Sequence, residues 1–386
     1  MLDGLLLTRG SVHNLERSGA GNLTLTNCAT TCCSGGTLYD GNNSGSANRG
    51  LGGGGFCLSG SGVSELLVVD SEISGNQAGG EWVASGCGGW MSGFKSATFE
   101  GTLFATNSHN SGRNGCFGGI LQANGVPIAF RRCAFRGNYS AGGDLLHLNG
   151  NCGGTVFENC IFAGNSGSSN NSGGKGVVDV ALGAMESAVC FRNCTFAYNV
   201  CGNAGALYVE KGTAAVTNSV FFGNVTHRSV TKGADITLNA PGCADIARTL
   251  FAEGEFTNYV SSVSNEHVTV SEVLRGDPQF VTSAEDFKAA YKVSDLPRSN
   301  STFPKHAVAM SPNLHLRGGS GYVDEMTGEK VKTWARSRWA SPAIDAGDPA
   351  VRCAEPKPNG HRVNLGAYGN TPWATMSPAG TALIVR

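Results

Sequence analysis

Three aspartates stand in comparable settings. Asp144 lies in "AGGDLLHL" (141–148), Asp179 in "VVDV" (177–180) and Asp235 in "KGADI" (232–236). Each sits where a Gly-rich stretch gives way to a short apolar run. Carboxylates stacked on one face would form an acid pair for glycoside cleavage, or would hold calcium. They are the candidate catalytic residues. Their settings differ in register by a residue or more, so the plainer expectation is solvated or turn-bonding acids. His147 alternates with Leu146 and Leu148, which predicts an outward, exposed side chain.

Aromatic side chains are the other chemistry-bearing set, because a flat ring stacks on a sugar face. Trp82, in the variable stretch "AGGEWVASG" (78–86), is the candidate ligand-binding residue. Trp90, Tyr139, Tyr198 and Tyr208 are weaker candidates, with Trp90 and Tyr208 expected to be partly core. No adjacent Asp pair and no Gly-His-Gly occurs, and His361 lies in "GHR" near the C-terminus. No cofactor is required by these residues, and calcium is the single ion the acids would suit. Neither Cys28 nor the Cys32–Cys33 pair has zinc-type spacing, and no paired His follows, so no metal site is assigned.

The elements that must position these groups come from a repeat. "FENCIFAGN" (157–165) returns as "FRNCTFAYN" (191–199) and "FRRCAFRGN" (130–138), with a weaker echo in "VTNSVFFGN" (216–224). The first apolar residue falls at Leu25, Val68, Phe99, Phe130, Phe157, Phe191, Val216 and Ile246. The intervals are 43, 31, 31, 27, 34, 25 and 30 residues, a solenoid period. The long first interval holds the insertion at 34–55. Three positions on stands a small residue such as Cys133, Cys160 or Cys194. Two further on stands a mostly large one, as in Phe104, Phe135, Phe162, Phe196, Phe221 and Phe251. After three more comes Asn76, Asn107, Asn138, Asn165, Asn199 or Asn224.

Parity makes this a fold prediction. Phe191 and Phe196 are five apart, and a straight strand sends alternate residues to opposite faces. The chain must therefore turn a corner at Arg192–Asn193 for both rings to face inward. Asn suits the turn that follows, because it tolerates left-handed backbone. A Gly-rich stretch and a third strand complete each coil. The predicted fold is all-β: a right-handed parallel β-helix of eight to nine three-stranded coils over residues 1–255. Residues 256–386 form an irregular extension that caps the open end. In that extension, "SAEDFKAAYKV" (283–293) predicts one short helix capped by Ser283, with Phe287 and Tyr291 on one face. Trp334, Trp339, Tyr368 and Trp373 would seal the end, while Asp345, Asp348 and Asn364 bond turn amides.

The repeat and its Gly-rich stretch resemble the right-handed β-helix proteins grouped with pectate lyases, and the repeats of chlamydial polymorphic outer-membrane proteins. "DPQF" (277–280), "SPAIDAGDP" (341–349) and "VNLGAYGN" (363–370) resemble the closing segment of secreted bacterial β-helix proteins. The resemblance implies a secreted or cell-surface location. It implies two classes of role: a carbohydrate-binding or adhesive scaffold, or a lyase or glycoside hydrolase acting on an acidic polysaccharide. A structural spacer of a larger surface protein is the third alternative. Lyases of the fold use an Arg or Lys base with calcium on Asp residues.

Composition agrees. Glycine is high at 57, charged residues are 15% and hydrophobic residues 40%, which suits a turn-rich β-fold with a filled core. A formal charge of −1 argues against a general electrostatic grip on nucleic acid or acidic membranes, and the partner the resemblance implies is a polysaccharide or cell-surface glycan. No apolar run reaches membrane-span length. The start, "MLDGLLLTRG", carries Asp3 where a signal peptide needs basic residues, so it is expected to be a strand within a fold that begins further upstream. Of 14 cysteines, Cys133, Cys160 and Cys194 share a slot that Ser or Thr also fills, which predicts stacked thiols. Parallel neighbours about 4.8 Å apart are too wide for a relaxed disulfide.

Overall fold

A computed structural model of the protein describes residues 1–8, 15–31, 34–35, 54–78, 87–109, 119–140, 144–167, 175–226, 234–262, 267–290, 312–333 and 340–377. Trp82, Trp334, Trp339, Tyr291, Cys32, Cys33 and most of the 34–55 insertion lie outside them.

The chain is a right-handed parallel β-helix. Among the described residues, sheets A and B have ten strands each and sheet C has nine, and each coil adds its next strand beside the last. One coil runs through sheet A (Val156–Glu158), sheet B (Ile161–Ala163), a two-residue strand in sheet D (Ser166–Gly167) and sheet C (Val178–Leu182). Sheet D, with seven such strands among the described residues, is a fourth ladder beyond the three expected per coil.

Register follows the repeat. Leu25, Val68, Phe99, Phe130, Phe157, Phe191, Val216 and Ile246 pair in one unbroken row of sheet A. Phe104, Phe135, Phe162, Phe196 and Phe221 form the matching row of sheet B. Both rows face inward. Their rings stack along the bore at 4.3–4.9 Å through the central coils and meet edge-on across it, as Phe157 and Phe162 do at 5.6 Å. The corner that lets two residues five apart share the core is a single residue in left-handed backbone, such as Asn159 (φ 54°), Asn193 (φ 51°) or Asn218 (φ 50°).

The second corner differs from expectation. The left-handed residue there is the one before the repeated Asn: Gly75, Thr106, Gly137, Gly164, Tyr198 or Gly223. The Asn itself points inward and is buried. Asn165 shows why the residue type is required. Its amide donates to Asn199 Oδ1 (2.9 Å) and to the Phe135 carbonyl (3.0 Å), and its Oδ1 accepts from the Asn138 amide (2.9 Å) and backbone N–H (3.1 Å). Only a carboxamide supplies two donors and an acceptor of this size. The ladder runs from Asn76 through Asn107, Asn138, Asn165 and Asn199 to Asn224. Asn165→Ala strands donors and acceptors in two neighbouring coils. It is expected to cost about 2–3 kcal/mol, read as a lowered urea midpoint against Ser74→Ala at an outer position of sheet B.

Cys133, Cys160 and Cys194 are buried free thiols, as the slot predicted. Each Sγ donates to backbone carbonyls, Cys133 to Phe99 (3.3 Å) and Cys160 to Phe130 (3.4 Å).

The coils continue past 255, through strands at Val260–Ser262, Val268–Ser271 and Leu274–Arg275. Phe256 and Tyr259 lie against Phe251 at this end, with the Arg275 guanidinium over all three rings. The later segment makes its described contacts along the side of the solenoid. Leu316, Ala343, Leu365 and Ala367 pack on Ile161, Ala197, Val220 and Leu250, outward residues of sheet B. Corner residues fix it: Asn159 donates to the Ala367 and Gly369 carbonyls, and Asn218 accepts from Asp348 N–H. Tyr198 stacks on Phe287 at 4.3 Å. That ring belongs to the helix Ala284–Ala290, which Ser283 caps by accepting from Asp286 N–H (2.9 Å). The acids of the segment bond turn amides: Asp345 accepts from Gly360, and Asp348 from Ala350. Among the described residues, no helix is long and apolar enough to cross a membrane.

Candidate functional site

Sheet C carries one outward row that is buried from Cys57 to Asp179 and half-buried at Tyr208: Cys57, Trp90, Gln122, His147, Asp179 and Tyr208 pair in register. His147 points outward, as alternation predicted, but it is 4% exposed, against the expected exposure. Asp179, its direct neighbour on the next coil, is fully buried.

Asp144 joins them from a different register position. In the row Leu146, Val178, Leu207 and Ile236, Asp144 falls two residues before its marker, Asp179 one after and Asp235 one before. The sequence offset is real, yet side-chain reach overcomes it. Asp144 stands at the entry to its strand, where the chain is still turning. Its Oδ2 comes within 2.9 Å of His147 Nδ1, and Asp179 Oδ2 lies 2.7 Å from the same nitrogen. Lys175 Nζ reaches Asp179 Oδ2 at 3.0 Å and Glu210 Oε2 at 2.8 Å, with Nζ 5.9 Å from the Tyr208 ring centre. The set grades outward from buried Asp144 to partly exposed Glu210.

Asp235 does not join it. It is buried at the end of the asparagine ladder, where Asn224 Nδ2 donates to its Oδ1 at 2.8 Å. Trp82 lies outside the described residues. Trp90, Tyr139 and Tyr198 are buried and Tyr208 half-buried, so the described residues show no exposed aromatic row. His361 is exposed at a left-handed turn.

Burial and mutual charge separate the acids. Burial, reinforced by the Asp179 charge, raises Asp144 to about 7. Burial pushes Asp179 the same way, but His147 and Lys175 outweigh it and hold this carboxyl below its usual range. Burial lowers His147, yet the two carboxylates overcome it and raise the imidazole to about 9. Lys175 is raised by the same carboxylates and Glu210. A neutral acid beside an ionised one, with a cation between, is a competent proton-transfer set.

The donor set bears on calcium. Ca²⁺ takes six to eight oxygen ligands. Here an imidazole nitrogen stands between two carboxylates, and the facing ammonium of Lys175 opposes a cation that binds through charge alone. These residues do not fit the calcium site that the resemblance implies.

Lys175 and Glu210 were not singled out from the sequence. The one available signal was Lys175 four residues ahead of Asp179, and in a Gly-rich stretch that spacing sets no geometry. Compared with protein-family models, curated proteins and solved structures, the chain matches none.

Proposed function

We propose that this chain is a rigid scaffold of a secreted or cell-surface protein that binds carbohydrate or mediates adhesion, rather than one that turns a glycan over. The observation that carries the proposal is the burial of the acid cluster. Glycoside cleavage needs two carboxyl groups flanking a sugar, and the Asp144 and Asp179 side chains are 0% exposed. What the described surface presents to a polymer is the outer face of sheet A. There Glu100, Arg131, Glu158 and Arg192 form one row of alternating charge. Rungs about 4.8 Å apart would offer a long glycan a repeating set of donors and acceptors along the rod.

A panel of acidic and neutral polysaccharides tests this. Pull-down reports retention, ultraviolet absorbance reports new unsaturated ends, and a reducing-sugar assay reports hydrolysis. Retention without cleavage is expected, weakened at least threefold by Arg131→Glu with Arg192→Glu. A similar loss in Trp82→Ala would place part of the contact on the stretch at 78–86. Cleavage of any member would overturn the proposal.

The second reading, a polysaccharide lyase or glycoside hydrolase, is favoured by one observation: the split between neutral Asp144 and ionised Asp179. On that reading Asp179→Asn would abolish cleavage and leave retention intact. A panel with neither retention nor cleavage would favour the structural spacer.

A further inference from the structure

We propose that Asp144, His147 and Asp179 form a binding site for one divalent transition-metal ion of the Zn²⁺ or Co²⁺ class, clamping two successive coils of the solenoid together.

Three observations point there. One ligand atom from each residue lies within 4.8 Å of the others, and all three residues are buried. The geometry is also one donor short. His147 Nδ1 faces both Asp179 Oδ2 and Asp144 Oδ2, but a ring nitrogen carries one proton and bonds Asp179. Both oxygens of Asp144 are left without a hydrogen bond, and so is Asp179 Oδ1. A fully buried carboxyl group with neither oxygen hydrogen-bonded is costly, and its Oδ2 stands 2.9 Å from His147 Nδ1, inside the cluster. The third observation is charge. Metal binding displaces the protons of its ligands, and with His147 and Asp144 so deprotonated, Asp144, Asp179 and Glu210 face the single ammonium of Lys175, two negative charges in excess. A divalent ion at the shared point cancels them and gives the stranded oxygens a partner.

One imidazole nitrogen and two carboxylates suit a borderline metal rather than calcium or magnesium. Metal–ligand bonds of about 2.0–2.2 Å need donor atoms roughly 3 Å or slightly more apart, so His147 and the acids open by only a few tenths of an ångström. Asp144 and His147 belong to one coil and Asp179 to the next, so the ion would bridge strands Leu146–Gly150 and Val178–Leu182. Lys175, bonded to Asp179, would stay as an outer partner.

The full chain, stripped with chelator, is to be loaded with Zn²⁺ or Co²⁺ and passed through gel filtration. One equivalent retained is expected, with a raised thermal midpoint that chelator reverses. The Co²⁺ form should show visible d–d bands and no thiolate charge-transfer band. Asp144→Asn removes a ligand without removing volume, so it should fold and bind at least about tenfold more weakly. His147→Gln should do the same. Lys175→Met removes an opposing charge and should bind as tightly or tighter. Asp235→Asn, outside the cluster, should bind normally. Failure of the folded chain to retain either ion would overturn the proposal. So would a thiolate band, which assigns the ion to cysteines, or unchanged binding by Asp144→Asn.

Discussion

Asp235→Asn is expected to stabilise the fold at pH 8 by roughly 4 kcal/mol and to change it little near pH 4. Asp235 terminates the asparagine ladder, taking the place of the next amide acceptor for Asn224. Its burial lifts the carboxyl from 3.8 to about 7, with the Asn224 bond and the Arg275 charge pulling the other way. The sign follows from proton counts. Between those two values the folded chain holds a proton that the unfolded chain has lost. Stability therefore falls as pH rises through the window, the reverse of a salt-bridged carboxylate. An asparagine offers the same acceptor and no charge, so the ladder gains a rung without the penalty. Urea midpoints from about pH 4 to 8 check this. Glu355, raised by burial to about 7, contributes the same trend to both proteins and drops out of the difference. Parallel pH profiles for the two proteins would sink the idea.

Phe162→Ala is expected to cost about 3–5 kcal/mol. Its ring stacks on Phe135 at 4.6 Å and on Phe196 at 4.3 Å, and meets Phe157 edge-on at 5.6 Å. Deletion leaves a cavity touching three coils, and the hydrogen-bonded rungs on either side prevent collapse into it. In a solenoid a central rung supports neighbours above and below, so the loss propagates in both directions. Phe162→Leu should recover more than half of it. Leu67→Ala, at an outward position of sheet A with 38% exposure, should stay within about 0.5 kcal/mol. Equal urea midpoints for Phe162→Ala and Leu67→Ala would contradict the stacked-core account.

The core was legible because its code is periodic. A residue that must stack on its own kind every coil leaves a mark in the sequence at every period. Phe191 and Phe196, five apart, demanded a corner, and Asn193 supplies it in left-handed backbone. The repeated Asn was legible as a position but not as a role. A turn residue and an inward ladder residue leave the same trace, and only the amide-to-amide bonds tell them apart.

The site was half legible. Asp144 and Asp179 stood out as acids at strand entries, and their unequal register argued against a meeting. Register describes backbone rows, whereas a side chain at a turning strand entry reaches across rows. His147 was placed on the correct face, but alternation reports direction and not what lies above. Its burial is a tertiary fact.

The sequence by itself determined the solenoid, the identity of its stacked rows, the free thiols of Cys133, Cys160 and Cys194, and the capped helix after Ser283. Each is a short-range or strictly repeated pattern, so spacing and side-chain type suffice. Tertiary structure alone decided the convergence of Asp144, His147, Asp179 and Lys175, and the seating of Asp235 at the end of the ladder. It also decided that the late segment packs against sheet B. These depend on non-repeating contacts between residues far apart in the chain, as between Asn159 and Ala367, and no local period records them.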